Sequence, residues 1–338
     1  TRLEQGRRIV PSDGVVDAIA RALDRGDAGT AHLRHLIGPR AASRAPAVQR
    51  VRPGLHQFLD ALGTQPALVL GRRTDVLASN RMARALFADF ESRNAQALAA
   101  GGWTLDLPYG AHPRERLDLR QVAAPRGTLL YLHAGYWQSR DKAQFRFLAP
   151  AFNALGWDVA LANYPLCPEV GVARIVDAAA QALAQLRHHQ GAQGRRGPLV
   201  LSGHSAGAHL AVELALRETG QTQAELPLAG VLAISGVYDL RPLLHTTLNE
   251  KLQLDAAQAQ ACSPVLRALP QAVPALFLVG GTETEAFHAQ NRAMADAWHA
   301  QGNQAVCEAV PGEDHFSILP TLAASAGPAA RQLKAWAA

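Results

Sequence analysis

The chain of 338 residues is 48% hydrophobic and 18% charged, with 28 Gly, 20 Pro and three Cys. That composition excludes a disulfide-stapled miniature, a fibre and a chain disordered throughout, and it leaves room for an enzyme-sized core with a smaller segment attached. The formal charge is +5, but residues 1–100 hold 15 Arg, no Lys and 9 acidic residues (+6), while residues 101–338 hold 18 basic and 19 acidic residues (−1). The basicity therefore belongs to the front of the chain and gives the larger part no reason to bind nucleic acid. Cys167, Cys262 and Cys307 are far apart with no CxxC pairing, which points to free thiols in a reducing compartment and no thiolate metal site. Arg7, Arg8, Asp13 and Asp17 interrupt any leader-like apolar run, and no uncharged run of 18 apolar residues follows. A cytoplasmic, soluble protein without membrane contact is the expectation.

In chain order, Ser12 and Asp13 are placed to cap a helix through Val15–Leu23, and a second short helix is predicted over Ala31–Ile37, stopped by Gly38 and Pro39. An Arg/Ala/Pro-rich stretch from Arg40 to Pro53 reads as a linker. A helix over Leu55–Leu62, two short strand-like runs (PALVLG and TDVLASN) and an apolar-periodic helix over Met82–Phe90 follow. From Trp103 the grammar changes. Strands are predicted at Leu117–Leu119, Thr128–His133, Asp158–Asn163, Leu199–Leu201, Gly230–Ile234, Ala275–Val279 and Ala305–Ala309, with helices at Ala143–Leu155, Ala173–His188, Ala206–Arg217, Ala286–Ala300 and over the last dozen residues. Strands alternating with helices through short connections predict an α/β domain at 96–338, with a mostly parallel central sheet covered on both faces, after a mainly helical segment at 1–95.

The chemistry centres on LVLSGHSAGAHLAVELAL: an apolar strand runs into Gly203-His204-Ser205-Ala206-Gly207, and a helix-forming segment follows at once. That is the setting of a nucleophile elbow, in which small residues flank a serine held above the sheet. The Ala206 amide at the helix start is a donor for an oxyanion. A serine needs a base, and His315 in PGEDHFSIL lies after the last strand, as expected for the chain order nucleophile, acid, base. His204 and His209 are the other histidines near the serine. The acid is expected after the strand FLVGG, where Glu283 lies nearest the strand end and Glu285 is the alternative; Asp314 reads as a loop cap. The loop HAGYWQ after Tyr131 and Leu132 offers backbone amides around Gly135 and Tyr136 to the same oxyanion, and Tyr136, Trp137, Phe316, Tyr164 and Tyr238 are candidates for an aromatic substrate wall.

Two resemblances attach to this wording. LEQGRR, the ALDRGD stretch and VRPGLHQFLDALGTQPALVLGRRTDVLASNRMARALFADF resemble the tail of an Xre-type helix-turn-helix domain and the start of an MmyB-like regulator ligand-binding domain, over about residues 2–90. LDLPYGAHPRERLDL, HAGYWQ, NYPLCPEV, SGHSAGAHLA, AISGVYDLRPL and GEDHFSIL, spread over about residues 103–336, resemble the arylformamidase (kynurenine formamidase) branch of the α/β-hydrolases. The second resemblance implies an α/β-hydrolase fold with a Ser205–Glu283–His315 triad. The implied reaction is hydrolysis of an aryl formamide such as N-formyl-L-kynurenine, as in tryptophan catabolism, without metal or organic cofactor and with a homodimer as the family-like assembly. It also implies an HGG pattern at the oxyanion loop, where Ala134 replaces the middle glycine; a left-handed backbone there would cost roughly 1 kcal/mol. The alternatives are a carboxylesterase acting on small acyl or aryl esters, and a regulator or ligand-binding module on a hydrolase-like fold. DNA binding is not expected, because the chain begins after the place of a recognition helix.

Overall fold

A computed structural model describes residues 51–62, 67–70, 76–218, 226–270, 273–322 and 326–337. The helices expected over Val15–Leu23 and Ala31–Ile37, and most of the linker after Arg40, lie outside the described residues. The chain divides into two compact units between Arg52 and Pro53. Residues 53–95 therefore share a unit with the large sheet, and the division falls well before the boundary expected at residue 95.

The second unit begins with α1 (Pro53–Ala61), the antiparallel pair β1 (Leu68–Leu70) and β2 (Val76–Ser79), and α2 (Arg81–Ala99). Asn80 caps α2 by accepting from the Ala83 amide at 2.9 Å. The helix continues past the predicted end at Phe90 because Glu91, Ser92, Arg93 and Gln96 face outward, while Ala83, Phe90 and Ala97 recur every seven residues on one buried stripe.

Then follow β3 (Trp103–Pro108), β4 (Arg116–Arg120), β5 (Gly127–Leu132), a tight 3₁₀ segment Lys142–Leu148 leading into α3 (Ala149–Ala154), β6 (Trp157–Ala162), α4 (Val172–Ala192), β7 (Leu199–His204), α5 (Ala206–Arg217) and β8 (Leu228–Ile234). The chain ends through α6 (Asn249–Leu252), α7 (Ala256–Ala261), β9 (Ala275–Gly280), α8 (Glu285–Ala300), β10 (Ala305–Val310), α9 (Ile318–Thr321) and α10 (Pro328–Trp336).

Eight strands form one sheet in the order β10-β9-β8-β7-β5-β6-β4-β3. Neighbours from β10 to β6 run parallel, and β4 runs antiparallel to both of its neighbours. Strands β5, β6, β7 and β9 are buried along their whole length, which is why they read in the sequence as unbroken apolar runs. Ile175 of α4, Leu210 of α5 and Met294 of α8 pack on one face. Phe152 of α3, Leu319 of α9 and Leu333 of α10 pack on the other. The edge strand β3 was not expected from the sequence: most of its residues are exposed, and a register shift between Thr104 and Leu107, with Asp106 left-handed (φ 54), breaks its alternation.

Helix α2 joins the second face. Phe90 stacks on Phe147 with ring centroids 4.8 Å apart, and the Asn94 side chain donates to the Gln144 carbonyl at 2.8 Å while accepting from the Phe147 amide at 2.9 Å. The 3₁₀ segment it grips is anchored beneath: Lys142 and Arg146 both pair with the fully buried Asp118 of β4, at 2.7 and 2.6 Å. Phe90→Ala should therefore lower the unfolding free energy of the large unit by about 3 kcal/mol, measured by urea denaturation. A loss under about 1 kcal/mol, the scale of a change outside a packed core, would show that α2 is not part of that core.

Candidate active site

The chemistry-bearing residues leave the sheet at the carboxyl ends of neighbouring parallel strands, the usual place for a site in an open α/β sheet. Ser205 follows β7, Ser235 follows β8, Glu283 follows β9, His315 lies after β10, and the Ala134–Trp137 turn follows β5.

Ser205 stands between β7 and α5 with φ 56 and ψ −117, a conformation that L-residues rarely adopt and that marks a strained turn. Its amide donates to the Ile234 carbonyl at 2.8 Å, tying the turn to the adjacent strand. The flanking glycines are obligatory: a Cβ on Gly203 would fall 2.2 Å from the Gly207 carbonyl oxygen, and one on Gly207 would fall 1.9 Å from the Leu132 carbonyl oxygen. Small residues thus let the serine turn sit against β5 and against its own helix.

His315 donates from Nδ1 to Glu283 Oε2 at 2.7 Å. The Glu283 side chain is buried, and its other oxygen accepts from Ser235 Oγ at 2.5 Å and from the Gly280 amide at 2.7 Å. Two donors thus hold one carboxylate oxygen while the second orients the imidazole. The His315 ring lies 4.4 Å from that of His204, the residue before Ser205, and 4.4 Å from that of Phe287, which brings the imidazole beside the elbow.

The other candidates do different work. Glu285 is exposed at the start of α8 and pairs with Arg292. Asp314 caps its loop by accepting from the Phe316 and Ser317 amides at 2.8 and 2.9 Å. His209 donates to the Cys262 carbonyl at 2.8 Å, and burial pushes its pKa down to about 4. His204 is fully buried, and burial first, then the neighbouring His315, hold it well below the ordinary histidine range.

In the loop after β5, Gly135 (φ 125), Tyr136 (φ 50) and Trp137 (φ 57) are left-handed, whereas Ala134 is not. The methyl group at 134 therefore meets no backbone penalty. The position that needs glycine is 135, where a Cβ would lie 2.3 Å from the Ser139 carbonyl oxygen. The Gly135 and Tyr136 amides make no backbone hydrogen bond among the described residues, and Ala206 is the first residue of α5, where amides lack an intrahelical acceptor.

The loop is held by a network that the sequence did not reveal. His133 is fully enclosed, and burial lowers its pKa to about 4. As a neutral ring it donates from Nδ1 to the Ala134 carbonyl at 2.7 Å and receives Arg114 on Nε2 at 3.5 Å. Arg114 also donates to the carbonyls of Tyr164 and Arg140 at 2.8 and 2.7 Å, and Asn163 bridges the Lys142 amide and Asp141 at 2.7 and 2.6 Å. Arg114, Asn163 and Ser235 each sit in a quoted motif. Their only sequence signal was a polar residue beside a strand end.

The aromatic wall needs correction. Trp137, Tyr164 and Tyr238 are all fully buried in the main core. Trp137 packs edge-on to His209, and Tyr164 stacks on His133 and donates to its carbonyl at 2.7 Å. Tyr136 and Phe316 stay half-buried. Burial, and Glu283 nearby, raise the pKa of the Tyr136 phenol. Among the described residues no cluster of three His, Cys, Asp or Glu is arranged to hold a metal ion, and no helix is long and apolar enough to cross a membrane.

Comparison with known proteins agrees with the fold. Residues 129–319 match the model of the alpha/beta hydrolase fold, and residues 51–124 match that of the MmyB-like transcription regulator ligand binding domain. The chain belongs to the α/β-hydrolase family and is a hydrolase of that type. It is 28% identical to kynurenine formamidase of Danio rerio over 73% of this chain and 86% of that protein, and 31% identical to kynurenine formamidase of Salmo salar over 64% of this chain and 76% of that protein. These relatives place it in the arylformamidase-like branch. Among solved structures, a provisionally assigned thioesterase from Silicibacter sp. is similar with TM-score 0.64 and 32% identity, covering 73% of this chain and 90% of that one. An esterase of Pyrobaculum calidifontis shares the fold with TM-score 0.61 at 15% identity, covering 85% of this chain and 98% of that one.

The buried histidines set an acid limit on stability. His133 and His209 are neutral in the fold with pKa values of about 4, against a reference of 6.5, so the unfolded chain binds more protons below that reference. Their contribution is complete above about pH 6.5 and is lost as pH falls through the window down to about 4, at up to about 3 kcal/mol per histidine. Urea denaturation at pH 7, 5.5 and 4.5 should show this decline, and His209→Gln should flatten it.

Proposed function

We propose that the protein hydrolyses an aryl formamide, with N-formyl-L-kynurenine as the preferred substrate, through Ser205 as nucleophile, His315 as base and Glu283 as the orienting acid. The observation that carries this reading is the 2.7 Å hydrogen bond from His315 Nδ1 to the buried Glu283, beside a strained serine turn. The fixed Nδ1–H leaves Nε2 as the basic nitrogen. Kinship with kynurenine formamidases supports the choice of substrate.

In this mechanism Ser205 Oγ attacks the formyl carbon while His315 Nε2 takes the hydroxyl proton. The Gly135, Tyr136 and Ala206 amides receive the developing oxyanion, each well-aimed donor contributing roughly 3 kcal/mol to the transition state. His315 then returns the proton to the departing arylamine nitrogen as the C–N bond breaks. A water, deprotonated by the same imidazole, attacks the formyl-enzyme; formate leaves and Ser205 regains its proton.

The test is kcat/KM for N-formylkynurenine against short-chain aryl esters, with Ser205→Ala as control. The formamide should be the better substrate, and Ser205→Ala should lower kcat by roughly 10⁴-fold or more; full activity in that variant would overturn the mechanism, and a preference for esters would overturn the substrate. Ser235→Ala removes a hydrogen bond to the orienting carboxylate, worth about 1.5 kcal/mol or more. It should cut kcat by about tenfold with KM little changed, measured on the same substrate.

A further inference from the structure

A cavity of about 380 Å³ lies beside the elbow, within the size range of small-molecule sites. Its lining joins Phe87 and Phe90 of α2, Ala134 and Arg140 of the loop after β5, His204 of the elbow, and Phe316 next to the base. The aromatic contacts lead straight to the chemistry: Phe87 packs edge-on to Phe316 at 5.9 Å, and Phe316 lies 5.3 Å from the His315 ring.

Arg140 stands apart from the other arginines of the loop region. Its backbone is left-handed (φ 76), its carbonyl is held by Arg114, and its Cγ backs onto Gly135, where a Cβ would approach it to 2.9 Å. The guanidinium lies 5.0 Å from the centroid of the Phe87 ring. Among the described residues it makes no hydrogen bond and no ion pair, and burial lowers its pKa from the usual value. Two other charged groups face the cavity: Arg84 is engaged with the Ser79 carbonyl, and Glu91 is exposed. A half-buried guanidinium without an anion is a standing cost that a ligand carboxylate removes, and the planar fork of Arg matches a carboxylate in two-point contact.

We propose that this cavity receives the leaving group of the substrate and that Arg140, braced on Phe87, binds a carboxylate carried by it. The proposal rests on the hydrolase reading above: a formyl group is small, so the bulk and charge of such a substrate lie on the arylamine side. The structure then gives α2, from the regulator-like part of the sequence, a role as the specificity wall of the hydrolase.

The first test needs no turnover. Calorimetric titration of the full-length Ser205→Ala protein with 2-aminobenzoate and with 2-aminobenzamide should show at least tenfold tighter binding of the acid. Arg140→Gln should abolish that preference, and Arg140→Lys, which keeps the charge, should recover part of it. Equal affinity for acid and amide in the Ser205→Ala protein, or a preference that survives Arg140→Gln, overturns the proposal. The second test compares an anionic with a neutral substrate in each chemical class: N-formylkynurenine against formanilide, and 4-acetoxybenzoate against phenyl acetate. In Arg140→Gln the anionic-to-neutral ratio of kcat/KM should fall at least tenfold through KM; an equal fall for both members of a pair shows a merely structural role. If only the esters are hydrolysed, the formamidase reading fails while the ester pair still decides the role of Arg140.

Discussion

The site depends on one strained residue. Ser205 holds a backbone conformation that costs of order 1–3 kcal/mol, and it is kept there because β7 and α5 are both locked into the core on either side of it. Gly203 and Gly207 keep away side-chain atoms that would collide with the turn itself and with Leu132, and the Ile234 carbonyl fixes the serine amide. From that point the rest follows geometrically. Ser205 stands at the carboxyl end of β7 with Ala206, the first residue of α5, beside it, and the loops after β5, β9 and β10 leave the sheet at the same end.

Those loops are made rigid in different ways. Glu283 is fixed by two donors from neighbouring strand ends, Ser235 Oγ and the Gly280 amide, so the imidazole inherits its position from the sheet. The loop after β5 is held mainly through its backbone carbonyls, those of Ala134, Trp137 and Arg140. It carries four left-handed residues, Gly135, Tyr136, Trp137 and Arg140, and it is held from behind by Arg114 and Asn163, which lie together just before β4 and just after β6. The neutral His133 at its base completes that scaffold, which links acid stability to the geometry of the loop.

The placements legible in the sequence were those tied to a position along a strand: Ser205 in its turn after β7, Glu283 just past β9, His315 past β10. Spacing along the chain specifies such positions because successive parallel strands end at the same level. What spacing does not specify is the side on which a residue falls. Trp137, Tyr164 and Tyr238 are neighbours of candidate site residues in sequence, yet their rings turn into the core, and the network through Arg114 joins residues up to 50 positions apart. The edge strand β3 and the second half of α2 escaped for a related reason: β3 is largely exposed and its alternation is broken at Asp106, while the second half of α2 buries little more than Ala97, so neither carries a clear apolar period.

The buried stripe of α2 decides where the enzyme begins. The regulator-like match spans residues 51–124, but in the structure that span supplies α2, the edge strand β3 and its neighbour β4 to the hydrolase unit. A boundary drawn in the sequence between the two resemblances therefore cuts through one folded unit. Placing the division at residue 52 also relocates the charge: residues 1–52 hold ten Arg against five acidic residues, whereas residues 53–338 hold 23 basic and 23 acidic. The hydrolase unit by itself is formally neutral, so its own net charge supplies no long-range pull on an anion. A preference for an acidic substrate in that unit must come from a contact at the cavity wall. Such a contact, partly shielded from solvent, is screened less by salt than steering by exposed charges would be, and Arg140 against Phe87 is placed to make it.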